Sequence, residues 1–170
     1  MRAIFPRKLP LPRRQCFLQD DGSSQFWIQS NVLIYGGAKN YLGDTKVWDS
    51  NLIVVPERWA GDPCICAWRG TAHVFTNNTC ITPTSGGPNY FDSSASGDKC
   101  IANYTSADSA PFLPVFARNS YVTYKGQFAE GCAGELTLAA MNAVGQELGT
   151  RVGANYKVED VAAMATALLT

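Results

Sequence analysis

The sequence has no long hydrophobic run and almost no histidine. Nowhere do about 18 apolar residues follow one another, so no stretch matches a membrane-spanning helix. His73 is the single histidine, and no two cysteines form a C-x2-C pair, which argues against a zinc site. Basic and acidic residues balance at 14 each. A strongly basic body of the kind that binds nucleic acid is therefore excluded.

The basic residues are concentrated at the N-terminus. Residues 1–15 carry five of them, together with three prolines and no acid, and they lack the apolar core of a signal peptide. The rest of the chain has nine basic against 14 acidic residues, a net charge of about −5. We expect residues 1–15 to be a disordered tail or to follow a start codon inside a longer reading frame, with a transit peptide for organelle import as the alternative.

Cysteines and sequons point to an oxidising compartment. The chain has six cysteines, an even number, and two N-x-[ST] sequons that begin at Asn77 and Asn103. This combination predicts a secreted or extracellular glycoprotein with disulfides. Fifteen pairings are possible for six cysteines. We predict the pair Cys80–Cys100, because these two residues bracket most of a long polar segment, 83–111, whose Ser, Gly, Pro and Asp content is typical of a loop.

One short phrase occurs four times: a polar residue, an asparagine, and then a run of β-formers. It is found at Ser30-Asn31-Val32-Leu33, Ser50-Asn51-Leu52-Ile53, Asn77-Asn78-Thr79-Cys80 and Arg118-Asn119-Ser120-Tyr121. The first two steps between the asparagines fall in the range of stacked repeat units. The pattern predicts an all-β solenoid in which each asparagine opens a strand after a bend.

The same pattern gives a division of the chain and a predicted core. After the tail, residues 16–134 are expected to form the coils, with the loop 83–111, and residues 135–170 a helical cap with a helix near 136–144 and another at 158–169. Aligned apolar residues should stack in register in the interior. These are Val32, Ile34, Leu52, Val54, Cys80 or Ile81, and Val122.

Several segments resemble right-handed parallel β-helix proteins of the pectate-lyase-like type. Gln19–Val32 resembles their "DDGS…I…NV" segment, Tyr35–Asn40 resembles a Gly-rich segment, and Asn51–Val54 resembles its partner. The tail is similar to the closing "L-x-x-W…G-x-D-x-x-S" element, from which Met141, Glu147 and Thr150 depart. The resemblance implies a right-handed parallel β-helix fragment of about four to five coils with a C-terminal helical cap. Because family members stack more coils, it also implies a partner chain covering the first coil, or missing upstream sequence.

The resemblance also implies a site for sugar chemistry. Asp20 and Asp21 occupy the position of the family's acidic pair, and Asp44, about one coil further on, is the favoured second carboxylate, with Asp49 and Asp62 as alternatives. Related hydrolases carry an acid where this chain has Lys39. A lyase would instead use Lys39 or an arginine as the base. We expect no cofactor, with Ca²⁺ held by Asp20, Asp21 and Asp44 as the alternative.

Aromatic and polar residues near these acids are candidates for binding the sugar. We assign this role to Trp59, Tyr35, Arg58 and Asn40, whereas Trp27 and Trp48 are expected in the core. His73 is expected to be a buried histidine without a catalytic role. We predict an extracellular or complex-associated protein that binds carbohydrate or acts as a structural scaffold. The alternative is a polysaccharide-active enzyme, a lyase or glycoside hydrolase, that uses Asp20 and Asp21.

Overall fold

The structure is a computed structural model of the 170-residue chain. It describes residues 17–19, 23–34, 38–40, 43–54, 65–67, 72–82, 89–90, 114–123, 126, 128 and 137–170, the segments 17–19, 38–40, 65–67 and 89–90 by their backbone. Within these ranges lie thirteen short strands and two helices. The strands are β1 Phe17–Gln19, β2 Phe26–Gln29, β3 Val32–Ile34, β4 Ala38–Asn40, β5 Lys46–Asp49, β6 Leu52–Val54, β7 Ile65–Ala67, β8 Val74–Thr76, β9 Thr79–Thr82, β10 Asn89–Tyr90, β11 Val115–Ala117, β12 Ser120–Thr123 and β13 Arg151–Gly153, and the helices are α1 Leu138–Ala143 and α2 Val158–Leu169.

All strand pairs are parallel, and they form three sheets in the described part of the chain. The orders are β1-β4-β7-β10, β11-β8-β5-β2 and β13-β12-β9-β6-β3, so consecutive strands from β1 to β12 pass from one sheet to the next in turn. The pairs β2–β3, β5–β6, β8–β9 and β11–β12 are each joined by a two-residue bend. We call each such pair with its bend a level, numbered one to four along the chain.

The bend of each level is what the repeated asparagine phrase encodes. Its first residue has a left-handed backbone: Ser30, Ser50, Asn77 and Arg118 have φ between 53° and 56°. The second residue is the asparagine. Asn51 Oδ1 accepts hydrogen bonds from the backbone N and Nδ2 of Asn31 at 3.1 and 3.0 Å, and the pattern repeats at the next two steps. The asparagines thus form a continuous ladder in which each side chain supports the backbone of the level before it.

The ladder ends at a buried carboxylate. Asn119 donates its backbone N–H to Thr150 Oγ1 at 2.9 Å and its Nδ2 to Glu147 Oε2 at 3.2 Å. The Tyr121 hydroxyl donates to Glu147 Oε1 at 2.7 Å, and the Thr150 hydroxyl also donates to Oε2. Glu147 is fully buried. Three donors converge on its carboxyl oxygens, which compensates the burial of this polar group.

The residue three positions before each ladder asparagine has a large side chain, and these side chains form a stack. Ile28, Trp48, Phe75 and Phe116 occupy these positions and are buried. The rings of Trp48 and Phe75 are 6.2 Å apart at 9°, and those of Phe75 and Phe116 are 5.0 Å apart at 13°. This column of aligned rings lies against the ladder, because Asn78 Nδ2 donates to the carbonyl of Trp48 and Asn119 Nδ2 to that of Phe75.

Helix α2 covers one face of the five-stranded sheet. Its apolar side chains Val161, Met164, Ala165 and Leu168 follow helical spacing and pack against a buried cluster of Val32, Leu52, Val54 and Ile81. Twelve residues give a helix about 18 Å long. Four strand spacings amount to about 19 Å. The helix begins five residues after the end of β13 and is long enough to span the sheet to β3, whose Val32 lies in the buried cluster.

The expected stack of apolar residues is confirmed in its register, and it lies beneath helix α2. Val32 is aligned with Leu52, and Ile34, Val54, Ile81 and Val122 form one row. This row faces helix α2 rather than the ladder. Cys80 lies on the opposite face, because neighbouring residues of a strand alternate in direction.

The expected fold class is wrong. The sequence predicted an all-β solenoid, a right-handed parallel β-helix fragment of about four to five regular coils closed by a helical cap. The structure combines parallel sheets of four, four and five strands with helices, an α/β arrangement in which α2 packs on a sheet face. The intervals between ladder positions are 20, 27, 41 and 31 residues, so no regular coil length repeats. Both helices nevertheless lie in the predicted segments.

Candidate functional site

One surface of the sheet β2-β5-β8-β11 carries a row of apolar residues. Trp27, Val47, Val74 and Val115 lie four positions before the ladder asparagines and are aligned across the four strands. Trp27 is 73% exposed and Val115 is 48% exposed. Four strands at about 4.8 Å spacing make the row about 14 Å long. Exposed aromatic and aliphatic groups in one row are typical of a binding surface.

A polar row runs beside the apolar one on three of the four strands, two residues further along each of them, and β11 has Ala117 at this position. Gln29, Asp49 and Thr76 are aligned there, and Asp49 holds the row together. Asp49 Oδ1 accepts hydrogen bonds from Thr76 Oγ1 and Asn77 Nδ2, both at 2.7 Å. Asp49 Oδ2 accepts one from Ser50 Oγ at 2.9 Å. We call the apolar and polar rows together the outer face.

Asp49 is held in its ionised form. Its partial burial opposes this by raising the pKa, but hydrogen bonds from Thr76, Asn77 and Ser50 and the positive charge of Arg118 outweigh burial and set the pKa below the ordinary value of 3.8. A general acid needs a raised pKa to carry a proton near neutral pH. Asp49 therefore suits the ordering of neighbouring donors better than proton transfer.

Arg118 lies at the border of the outer face. Its Nε donates to Asn77 Oδ1 at 3.0 Å, so Asn77 links the arginine to Asp49. Gly149 makes room for it: a Cβ at this position would lie 3.2 Å from Arg118 Cγ, and the φ of Gly149 is +74°. The glycine is thus required both by its left-handed backbone and by the arginine packed against it.

Most sequence-predicted site residues fall outside the described residues. This applies to the acidic pair Asp20 and Asp21, to Tyr35, Arg58 and Trp59, and to Cys100 and Asn103. Their assigned roles stay predictions. Lys39 and Asn40 lie on β4, where Lys39 is aligned with Leu18 and Cys66, and Asn40 with Gln19 and Ala67.

Asp44 lies beside the segment that follows the acidic pair. Its carbonyl accepts a hydrogen bond from Gln25 N at 2.9 Å, and its own N–H donates to Ser24 Oγ at 3.0 Å. The residue is exposed. Asp44 is thus paired with residues 24 and 25, while Asp20 and Asp21 lie outside the described residues, so their alignment with Asp44 stays a prediction. In the described part of the chain, no three His, Cys, Asp or Glu side chains form a group that could hold a metal ion.

Two predicted modification sites are partly described. Asn77 is exposed at its bend, as a glycosylated asparagine must be, although its amide donates to Asp49. Cys80 is fully buried and disulfide-bonded. Glycosylation and the pairing with Cys100 stay predictions.

The core assignments of the sequence are right for two residues and wrong for a third. His73 and Trp48 are fully buried, as expected, and His73 Nδ1 accepts a hydrogen bond from Lys46 N at 3.2 Å. Trp27 is on the surface instead. The signal that distinguishes the two tryptophans is their distance from the ladder asparagine, since Trp48 precedes Asn51 by three residues and Trp27 precedes Asn31 by four.

No family model, curated protein or solved structure matches this chain. Among the described residues, neither helix is long and apolar enough to cross a membrane. The functional conclusion must therefore come from the chemistry of the outer face.

Proposed function

We propose that this chain is a carbohydrate-binding protein and that the outer face is its binding surface. The observation that carries the proposal is Trp27, a tryptophan 73% exposed at one end of an apolar row and beside a polar row. The flat face of an indole packs against the C–H face of a sugar ring, while hydroxyl, amide and carboxylate groups beside it bind the sugar hydroxyls. A polymer lying across the strands would stack on Trp27 and then pass along Val47, Val74 and Val115.

Binding is favoured over catalysis at this face. Sugar hydrolysis needs two carboxylates, one of which carries a proton. The described part of the outer face offers only Asp49, which is ionised and engaged by three donors. A polysaccharide lyase or glycoside hydrolase that uses Asp20 and Asp21 remains the alternative, supported by the position of Asp44 beside residues 24–25.

A scaffold role is favoured by the continuous ladder and the absence of a second acid on the described face.

The proposed setting is extracellular and oxidising. The exposed amide of Asn77 and the disulfide of Cys80 support it. Intact mass analysis of the secreted protein without reductant should show most of the six cysteines paired and added mass that is lost after glycosidase treatment. Six free thiols and an unmodified mass would contradict this setting.

The carbohydrate proposal is tested by titrating acidic and neutral polysaccharides into the protein and into the Trp27→Ala variant. We expect one class of glycan to bind, and the variant to bind about 10-fold more weakly, since loss of a stacked aromatic amounts to about 1.4 kcal/mol. Val158→Ala is the matched control, because Val158 is 71% exposed but lies on α2. Equal loss in both variants, or no binding by the wild type, would refute the proposal. Degradation of a polysaccharide that stops in Asp21→Asn would establish the enzyme instead.

A further inference from the structure

The ladder has one acceptor that the described chain does not use. At each inner step, the Oδ1 atom of an asparagine accepts two hydrogen bonds from the asparagine of the preceding level. Asn31 stands at the first position, and no donor from the described residues reaches its Oδ1. Its Nδ2 group differs too: Asn51 and Asn78 donate to a carbonyl of the preceding level, whereas Asn31 donates to Gln29 O of its own level at 2.9 Å.

Two residues of β3 direct backbone groups to the same side, although one of them, Val32, is only 1% exposed. Asn31 O accepts from Leu52 N, which directs the odd-numbered groups of β3 toward β6. In a parallel ladder, the N–H and C=O groups of the alternate residues then point the other way. For β3 these residues are Val32 and Ile34. Both β2 and β3 are the last described strands at their sheet edges.

Two residues of the first level are more exposed than the residues aligned with them, although Ile28, Val32 and Leu33 of this level are buried. Phe26 is 46% exposed, although Lys46, the residue aligned with it in the next level, is fully buried. Asn31 is half-buried, while the other three ladder asparagines are at most 1% exposed. Neither β2 nor β3 contains the lysine, proline or bulge that usually protects a free strand edge.

We propose that this edge binds an extended segment of another polypeptide that adds as a further level. The segment pairs in parallel with β2 and β3 and makes the same kind of bend between its two strands. It carries an asparagine whose backbone N–H and Nδ2 group both donate to Asn31 Oδ1. This is strand addition with a side-chain requirement, since main-chain pairing supplies affinity and the asparagine fixes the register. The inference is independent of carbohydrate binding.

A second copy of this chain does not fit the edge. Its own last ladder residue is Thr150, whose N–H donates to Glu147 O at 3.0 Å and whose hydroxyl donates to the Glu147 carboxylate. Both donors that Asn31 Oδ1 requires are therefore used within the chain. Within the described residues, one end of the ladder is closed by Glu147 and Thr150, and the other end leaves Asn31 Oδ1 for a donor from a different polypeptide.

The experiment uses the full-length protein and a synthetic peptide with the sequence of residues 46–54. In the chain, the Asn51 of this segment makes the required pair of hydrogen bonds, to Asn78 Oδ1 at 3.1 and 2.9 Å. We expect the peptide to bind in titration calorimetry and to slow hydrogen exchange at the amide of Ile34, which is half-buried. The control peptide carries Asn51→Leu and should bind at least about 10-fold more weakly, because two hydrogen bonds are lost.

The peptide substitution keeps the test decisive even if Asn31→Ala unfolds the protein. If Asn31→Ala folds, it should abolish the preference for the asparagine peptide. Equal binding of the two peptides, no binding, or unchanged exchange at Ile34 would overturn the proposal. Sedimentation of the protein alone supplies the last outcome: self-association that Asn31→Ala removes would assign the edge to a second copy and reject a foreign segment.

Discussion

The ladder predicts that one substitution has very different effects at two positions of the same motif. Asn78 is fully buried in the middle of the ladder, and Asn31 is half-buried at its open end. Both asparagines follow a left-handed bend residue and precede a strand. Replacing each by alanine therefore removes the same atoms from the same local backbone, and any difference must come from the neighbours.

The expected magnitudes follow from the hydrogen bonds. Asn78→Ala deletes four: two accepted from Asn51, one donated to Trp48 O and one donated to Asn119 Oδ1. At about 1 kcal/mol net for each, the free energy of unfolding should fall by about 4 kcal/mol. Asn31→Ala deletes two, which water near the open end can replace, so its effect should be about 1 kcal/mol.

Urea unfolding followed by circular dichroism measures both effects. The midpoint should shift strongly for Asn78→Ala and slightly for Asn31→Ala, with the same slope for both, since the folded state keeps its extent. In thermal unfolding, the larger effect corresponds to a decrease in Tm of about 8–16 °C for a chain of this size. Similar losses in the two variants would refute the ladder as a graded source of stability. So would a loss under about 1 kcal/mol for Asn78→Ala.

Two further predictions concern the border of the outer face. Gly149→Ala should lower the free energy of unfolding, measured in urea, by about 1–2 kcal/mol, because the φ of this residue is +74° and the new Cβ would lie 3.2 Å from Arg118 Cγ. In the double variant with Arg118→Ala, only part of the lost free energy should be recovered, since the backbone strain stays. Asp49 has a folded pKa below its unfolded value of 3.8, so its stabilisation is complete above about pH 3.8 and is lost as the pH falls through the lower folded pKa. Across that acidic window the wild type should lose more stability than Asp49→Asn; parallel curves would contradict the role given to Thr76 and Asn77.

The local pattern of the chain carried much of the fold. The phrase around each asparagine predicted a bend followed by a strand, and the four bends and strands lie there. The phrase also predicted the alignment of Ile34 with Val54. If Asn31 and Asn51 lie side by side in a parallel pairing, the residues three positions after them must be aligned as well. Spacing alone did not give the fold class, because intervals from 20 to 41 residues accommodate segments of different lengths between the paired strands.

The two residues that end the ladder stand out in the sequence only as departures from a family element, and their role in hydrogen bonding comes from the structure. Glu147 and Thr150 departed from the expected closing residues. Both retain the chemistry of an acid and a hydroxyl, and these groups accept the last hydrogen bonds of Asn119. Composition and period do not reveal such a role, since it depends on Tyr121 and Asn119 reaching the same carboxylate from another strand.

The sequence by itself determined the bends, the ladder positions and the strands, because these depend on backbone preferences and hydrogen-bonding groups within a few residues. Tertiary structure decided which face each strand buries. Trp27 and Trp48 have the same residue type and nearly the same neighbourhood, yet one is 73% exposed and the other fully buried. Val32 and its aligned residues were buried by helix α2, whose segment begins more than 120 residues further along the chain. Side-chain direction alternates along a strand, so only the packed sheets and the returning helix decided which direction led to solvent.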